Sequence, residues 1–159
     1  MSFHKHDHLA GEKPGSHKGQ TLLAVVFFTV WIVDSFLLRL TTLLFSARVA
    51  WLCVPVGSAV LLLSLYLMNA SHHQIFDTKV QGVATGGVYG RVKHPMYLGT
   101  LLVYLGLAVM TLSLASILVW MVAAAYYNAL ANYEENLLEE RFGGEYLEYR
   151  KSVRKWLPF

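Results

Sequence analysis

The sequence predicts an all-α integral membrane bundle of about four transmembrane helices, with a C-terminal helical hairpin and a cytoplasmic, amphipathic C-terminal tail. Two observations predict it. Of the 159 residues 55% are hydrophobic and 14% are charged, whereas a soluble domain carries about 25% charged residues. The apolar residues also form runs of about 20, the length that crosses a bilayer as a helix. Disorder is excluded because it requires low hydrophobicity.

Residues 1–20 are polar, and we expect a mobile tail there that precedes a single domain over residues 21–159. The tail contains His4, His6, His8 and His17. Histidines can bind a metal, but nothing in this segment indicates a fixed coordination geometry, so we expect no metal site. The single cysteine, Cys53, excludes an intrachain disulfide and a cysteine-built zinc site.

The first apolar run predicts a span at about residues 21–40. Asp34 lies inside it, and a carboxylate within a membrane is costly. We interpret Asp34 as a group near the far interface that reaches water or pairs with Arg39 or Arg48. A role in substrate binding is the alternative.

The second run predicts a span at about residues 47–68. Pro55 should bend this helix, because proline removes a backbone hydrogen bond and clashes with the preceding turn. Gly57 and Ser58 are small enough to allow a neighbouring helix to approach closely.

Residues 99–133 carry no charge. A single helix of that length would be about 50 Å long, which exceeds the hydrocarbon core. The small and hydroxylated segment at 111–116 predicts a turn. We therefore predict a tight hairpin with spans at about 98–112 and 115–138, and one long tilted helix is the alternative.

Lysine and arginine are concentrated in the amino-terminal tail, the connection before the hairpin and the tail at 139–159. Four spans place all three segments on one side, which the positive-inside rule makes cytoplasmic. We expect a multi-pass protein with both termini in the cytoplasm, in the inner or plasma membrane if the source is prokaryotic. The net charge of +3 is then a marker of topology, and we expect no nucleic-acid partner.

The tail should break into two helices at Gly143-Gly144, because glycine commonly ends helices. After the break, apolar and aromatic residues recur at helical spacing: Tyr146, Tyr149, Val153 and Trp156. This pattern predicts an interfacial helix or a lid on the bundle. We interpret the stripe as packing, with ligand contact as the alternative.

A hairpin would bring together the ionisable residues at its two ends: Arg91, Lys93, His94 and Tyr97 before it, Glu134 and Glu135 after it. Cations with paired carboxylates would suit a zwitterionic or mixed-charge ligand. Equally, the cations could contact lipid phosphate while the acids pair with them structurally. The spacing does not separate these two interpretations.

Two blocks of this sequence flank the uncharged hairpin. The first is TGGVYGRVKHPMYLG at 85–99. The second comprises Glu134-Glu135, Leu138, Phe142-Gly143, Tyr146, Tyr149, Val153 and Trp156-Leu157-Pro158. Together, in this order, they resemble the isoprenylcysteine carboxyl methyltransferase and phospholipid methyltransferase superfamily, and the resemblance covers residues 81–158, about half of the chain. Lys93 departs from it, since arginine commonly precedes the histidine, and lysine lacks the bidentate fork of arginine.

The resemblance implies a membrane methyltransferase that takes S-adenosylmethionine from the cytosol and a lipophilic acceptor from the lipid. The cofactor-binding residues it implies are His94, Pro95, Tyr97, Gly99, Glu134 and Glu135. The catalytic residues are Arg91, His94 and Glu135, and the residues that position the acceptor are Tyr146, Tyr149 and Trp156. It implies no metal and leaves the oligomeric state open.

An isoprenylcysteine-like carboxylate is the acceptor that this resemblance favours, and a phospholipid amine or a small thiol are alternatives. A carboxylate or thiolate needs no base during transfer, whereas an ammonium must first lose a proton, with His94 or Glu135 as the candidate base. Two other functions remain open. One is a nicotinamide-dependent membrane reductase similar to sterol reductases, and the other is a noncatalytic membrane protein of the same fold.

Overall fold

The computed structural model describes residues 15–43, 47–77 and 82–156, so the histidines at positions 4, 6 and 8 lie outside the described residues. The described part contains five α-helices and no β-strand. They are α1 (Ser16–Ile32), α2 (Ala47–His72), α3 (Pro95–Thr111), α4 (Leu114–Phe142) and α5 (Gly144–Ser152). Short π-helical turns extend α1 over Val33–Leu38 and α2 over His73–Asp77.

Three segments are long and apolar enough to cross a membrane: Ser16–Leu38, Ala50–Ile75 and Leu114–Phe142. The fourth apolar helix, α3, is shorter at 17 residues. Exposed apolar side chains such as Leu22, Leu62 and Val122 lie on the outside of the bundle, as expected for helices in lipid. The predicted all-α membrane bundle is confirmed.

The helices are longer than the predicted spans. Helix α1 begins at Ser16 rather than near residue 21, and α4 continues to Phe142 rather than ending near residue 138. Hydropathy marks only the apolar part of a helix, whereas the backbone hydrogen bonds continue through the polar turns at its ends. Pro55 lies inside α2, which is α-helical without interruption from Ala47 to His72.

The predicted hairpin is confirmed, and its turn consists of Leu112 and Ser113. Leu112 adopts a left-handed conformation with φ of 45°, which ends α3. The Ser113 hydroxyl then caps α4 by accepting a hydrogen bond from the Ser116 amide at 3.1 Å. The alternative of one long tilted helix is therefore wrong.

Helices α2 and α3 pack closely because glycines lie where they touch. A Cβ atom on Gly57 would lie 2.6 Å from the carbonyl oxygen of Gly106, too close for any side chain. Nearby, the Ser64 hydroxyl donates a hydrogen bond of 2.7 Å to the carbonyl oxygen of Gly99. The close contact predicted at Gly57 is confirmed, and it is the small-residue packing expected between membrane helices.

Aromatic side chains join α1 to the hairpin. Phe27 of α1 is fully buried and stacks on Tyr104 of α3, with ring centroids 4.3 Å apart. Trp31 donates its indole N–H to the carbonyl oxygen of Leu107 at 3.2 Å. Tyr127 of α4 belongs to the same buried cluster, so α3 is enclosed by the three longer helices.

The interpretation of Asp34 as a group that reaches water is wrong. Its side chain is buried at the turn end of the hairpin and accepts hydrogen bonds from the Thr41 amide at 2.9 Å and the Thr41 hydroxyl at 2.6 Å. The Ser113 hydroxyl donates a third, at 2.5 Å. Asp34 thus joins the end of α1, the loop that follows it and the hairpin turn.

The chain reverses at Gly143, where φ is 53° and ψ is −122°, and this confirms the predicted break. We call residues 144–156 the C-terminal strap. Its buried Tyr146, Tyr149 and Val153 pack with Val83, Leu138 and Phe142. The packing interpretation of this stripe is confirmed for the two tyrosines and the valine.

The strap is also joined by its backbone to the segment before α3. Val92 and Arg154 form an isolated parallel β-bridge, and the Lys93 amide donates to the Arg154 carbonyl oxygen at 3.0 Å. The Tyr149 hydroxyl donates to the carbonyl oxygen of Tyr89 at 2.7 Å. These bonds hold the strap across the open end of the hairpin.

Candidate active site

The site lies at the open end of the hairpin, where the start of α3 meets the second half of α4. His94 caps α3 and Pro95 is its first residue, a position that suits proline because its fixed φ matches the helix and its missing N–H is not needed there. The antiparallel return of α4 brings Glu134 and Glu135 to His94 and Tyr97. The juxtaposition expected from a hairpin is therefore present.

Glu134 faces two aromatic rings. It accepts a hydrogen bond from the Tyr97 hydroxyl, and its Oε2 lies 3.7 Å from Nδ1 of His94. The imidazole stacks on the Tyr97 ring, with centroids 5.7 Å apart and planes 5° from parallel. Glu134 retains 12% of its side-chain exposure, so one carboxylate of the pair can still be approached.

Glu135 is more deeply buried, with 3% of its side chain exposed, and it is surrounded by nitrogen atoms. Oε1 lies 3.2 Å from Nε2 of His94 and 3.3 Å from Nζ of Lys155. Oε2 lies 3.3 Å from Nζ of Lys93 and 3.5 Å from Nε of Arg150. A buried carboxylate needs such compensation because its desolvation is costly.

Residues of the strap and of α4 form the outer side of the site. The Trp156 ring lies 6.0 Å from that of His94, and its indole N–H donates to Asn128 Oδ1 at 3.2 Å. The Lys155 ammonium donates to Asn132. The end of the strap thus covers the imidazole that lies between the two glutamates.

The remaining predicted site residues lie at different distances from this centre. Arg91 is exposed at the edge of the preceding loop. Gly99 faces α2, where a Cβ atom would lie 2.6 Å from Cγ of Met68. Burial raises the pKa of the Tyr146 and Tyr149 phenols, and both rings belong to the packing of the strap.

Four polar residues of this site were not among the predicted site residues: Asn128, Asn132, Arg150 and Lys155. A signal for the asparagines exists in the sequence, since positions 128, 132 and 135 lie on one face of a helix. No sequence pattern places Arg150 and Lys155 at the site. Their contacts depend on how the strap folds back.

Chemically, the site has an anionic and a cationic side. Glu134, beside the Tyr97 and His94 rings, offers a carboxylate for an ammonium group or for hydroxyls. Lys93 and Lys155 place ammonium groups on the other side, where they can attract a carboxylate. A ligand or a ligand pair that carries both charges matches this arrangement.

Comparisons with known proteins point to one family. Residues 47–145 match the model of the family described as phospholipid methyltransferase. The chain is 37% identical over 79 residues to protein-S-isoprenylcysteine O-methyltransferase A of Arabidopsis thaliana, covering 49% of this chain and 40% of that protein. It is 26% identical over 156 residues to protein-S-isoprenylcysteine O-methyltransferase of Saccharomyces cerevisiae, covering 90% of this chain and 65% of that protein.

A probable protein-S-isoprenylcysteine O-methyltransferase of Oryza sativa subsp. indica is 29% identical over 119 residues, 72% of this chain and 62% of that protein. The chain thus spans less than two thirds of the length of these relatives. No solved structure matches it significantly. Because the family model covers more than half of the chain, including both ends of the hairpin, this protein belongs to the phospholipid methyltransferase family.

Proposed function

We propose that this protein is a membrane methyltransferase that uses S-adenosylmethionine and methylates the carboxylate of a lipophilic, isoprenylcysteine-like acceptor. The family supports methyl transfer, and the names of the relatives support an oxygen acceptor. The observation that carries the proposal is the placement of an approachable carboxylate, Glu134, next to buried cationic groups at one end of an apolar hairpin.

The residues present fit the proposed methyl donor. Glu134 would accept hydrogen bonds from its ammonium group or ribose hydroxyls, and the rings of His94, Tyr97 and Trp156 are suited to its planar base and its positive sulfur. Pro95 would shape the same wall by starting α3. When bound, this group supplies a methyl attached to a positively charged sulfur, which makes the methyl open to attack.

Methyl transfer by direct displacement depends mainly on the alignment of the donor with the acceptor. We therefore assign these residues the role of orienting the two reactants. Correct orientation of two reactants can contribute about 7–11 kcal/mol to lowering a barrier. Attraction of a cation to Glu134 strengthens binding but does not by itself accelerate the reaction. The strap would exclude water by covering His94 with Trp156.

The cationic side favours a carboxylate acceptor over an amine. The Lys93 ammonium contacts Glu135 at 3.3 Å, and its remaining N–H donors suit a carboxylate but not a protonated amine, which is itself only a donor. A carboxylate attacks in its ionised form and needs no base, whereas an amine would require His94 or Glu135 to remove a proton. Arg91, exposed beside the site, stays a candidate for guiding the acceptor.

We also propose that this end of the hairpin faces the cytoplasm. The described basic residues around it are Arg91, Lys93, Arg141, Arg150, Lys151, Arg154 and Lys155. Cytoplasmic segments of membrane proteins are enriched in lysine and arginine. The methyl donor would enter from the cytoplasm and the acceptor from the lipid.

The test uses the purified protein in detergent with isotopically labelled S-adenosylmethionine. A prenylated cysteine analogue, phosphatidylethanolamine and a small thiol are offered separately, and products are identified by mass spectrometry. We expect label only in the prenylcysteine, as a methyl ester. Label in the amine or the thiol would contradict the proposed acceptor.

A binding measurement separates the other functions. We expect S-adenosylhomocysteine to bind and a nicotinamide dinucleotide phosphate not to bind. The reverse result would favour the membrane reductase, and binding of neither would favour a noncatalytic protein.

A further inference from the structure

We propose that Glu135 is a positioning residue, a latch that holds the C-terminal strap over the site, and that the methyl donor is bound by Glu134 instead. The assignment of donor binding to Glu134 rests on the proposed function. The latch itself rests on contacts within the chain.

Glu135 is held by groups of its own chain: Lys93 donates a hydrogen bond to Oε2 at 3.3 Å, and His94 Nε2 is in hydrogen-bond contact with Oε1 at 3.2 Å. An ionised carboxylate offers about four lone-pair sites, and four nitrogen atoms lie within 3.5 Å of its oxygens, from His94, Lys155, Lys93 and Arg150. A ligand could reach Glu135 only by displacing one of them. The Glu134 side chain is more exposed than that of Glu135, 12% against 3%.

The four nitrogens come from two segments that are far apart in the sequence, the residues just before α3 and the strap. Lys93 and His94 precede α3, Arg150 belongs to α5, and Lys155 follows α5. Glu135 itself lies on α4. One carboxylate therefore connects the start of the hairpin, its return helix and the strap.

The backbone of the strap makes Lys155 and Trp156 move together. The bridge between Val92 and Arg154 and the bond from the Lys93 amide to the Arg154 carbonyl set the register. The next residue, Lys155, then reaches Glu135, and Trp156 reaches His94. Loss of the contact between Lys155 and Glu135 should therefore also let Trp156 move away from His94.

Arg150 also pairs with Glu139, whose Oε2 lies 2.6 Å from its Nη1. Loss of the Glu135 charge would therefore leave the ammonium groups of Lys93 and Lys155, each 3.3 Å from this carboxylate, without their shared partner. Their repulsion is strongest where solvent is excluded. We expect the strap to open while the hairpin, held by its apolar packing, stays folded.

The experiment measures hydrogen exchange by mass spectrometry on the full-length protein in detergent without any ligand. Glu135→Gln and Lys155→Met are each expected to raise exchange about tenfold in peptides covering the strap, and the double variant no more than the larger single effect. Peptides from α3 and the first half of α4 should keep wild-type protection, which reports that the bundle is folded. Lys151→Met changes an exposed residue of the strap with the same loss of charge as Lys155→Met; it is the matched control and should leave exchange unchanged.

Lys155→Arg tests whether charge is the cause, because arginine retains it, and wild-type exchange is expected. Measurements of ligand binding and of turnover then distinguish the role of Glu135 from that of Glu134. We expect Glu135→Gln to lower kcat about tenfold and to raise the Kd of S-adenosylhomocysteine less than Glu134→Gln does. Glu134→Gln should instead raise that Kd.

Unchanged exchange in the strap of both Glu135→Gln and Lys155→Met would overturn the latch. So would a Kd that rises as much in Glu135→Gln as in Glu134→Gln, since that indicates direct contact with the donor. Because the exchange experiment involves no donor or acceptor, failure of the proposed function would leave its outcome unaffected.

Discussion

The two ends of the hairpin each bury a carboxylate but compensate its charge in different ways. At the turn, Asp34 accepts short hydrogen bonds from uncharged donors, the Thr41 amide and the hydroxyls of Thr41 and Ser113. At the open end, Glu135 is surrounded by cations, among them Arg150, whose side chain is 42% exposed. Because these uncharged donors lie in turns of fixed backbone geometry, they hold Asp34 in one position. Arg150, which is exposed and also pairs with Glu139, can exchange partners, which suits an end that must admit ligands.

The largest effect should follow from breaking the turn end. Asp34→Ala leaves the half-buried Thr41 and the buried Ser113 hydroxyl without this acceptor, and we expect a loss of about 3 kcal/mol in the free energy of unfolding. Thermal unfolding in detergent measures it. Ser35→Ala is the matched control, because the neighbouring Ser35 hydroxyl is buried and has no hydrogen-bond partner within the described part of the chain, so its removal should not destabilise the fold. Equal Tm values for the two variants would contradict the joint assigned to Asp34.

The second effect concerns ligand binding at the open end. Glu134→Gln removes the charge of the approachable carboxylate, and hydrogen bonds to charged groups contribute about 1.5–3 kcal/mol. We expect the Kd of S-adenosylhomocysteine to rise about 10- to 100-fold with little change in Tm. Glu140→Gln, an exposed position of the same helix, should leave the Kd unchanged. An unaltered Kd for Glu134→Gln would remove the carboxylate from the proposed donor site.

A smaller effect is expected for the cation that departs from the family pattern. Lys93→Met removes a buried positive charge, and the KM for a carboxylate acceptor should rise about tenfold. Lys93→Arg retains the charge and should stay within about threefold of the wild-type KM. Steady-state kinetics with the prenylcysteine analogue provide the measurement. If Met and Arg variants behave alike, the charge does not select the acceptor.

The smallest effect should come from the neutral bond that ties the strap to the loop. Tyr149→Phe removes the hydrogen bond to the Tyr89 carbonyl, and we expect a loss of about 1 kcal/mol in strap protection, measured by hydrogen exchange. Tyr66→Phe, exposed on α2, is the control.

This effect has a defined pH dependence. Burial raises the pKa of the Tyr149 phenol above its usual value, so the folded state holds the proton more tightly than the unfolded state. The stabilisation that the Tyr149 hydroxyl gives to the strap is fully present below pH about 10 and declines above it. A difference between wild type and Tyr149→Phe that grows above pH 10 would contradict this assignment.

Much of the architecture could be predicted because membrane folds follow local rules. Apolar runs must be helical in lipid, since no water satisfies the backbone there. An uncharged stretch too long for one span, with small hydroxylated residues at 111–116, requires a turn. Gly143 marks the break before the strap for the same local reason, its freedom to adopt a positive φ.

The partners of the charged residues could not be predicted in this way. Ser113 is 79 positions from Asp34, and no periodicity relates them. Arg150 and Lys155 fall on the polar side of an amphipathic pattern, which indicates solvent. They reach Glu135 only because the chain reverses at Gly143 and Arg154 pairs with Val92.

By itself, then, the sequence determined the helices, the hairpin and the residues that gather at its open end, because these follow from hydrophobicity, helix length and the position of charges along the chain. Only the tertiary structure decided that Asp34 joins the turn, and that Glu135 is enclosed by cations while Glu134 can be approached. The physical reason is that a buried charge is compensated by whichever groups the folded chain brings within a few ångströms, wherever they lie in the sequence.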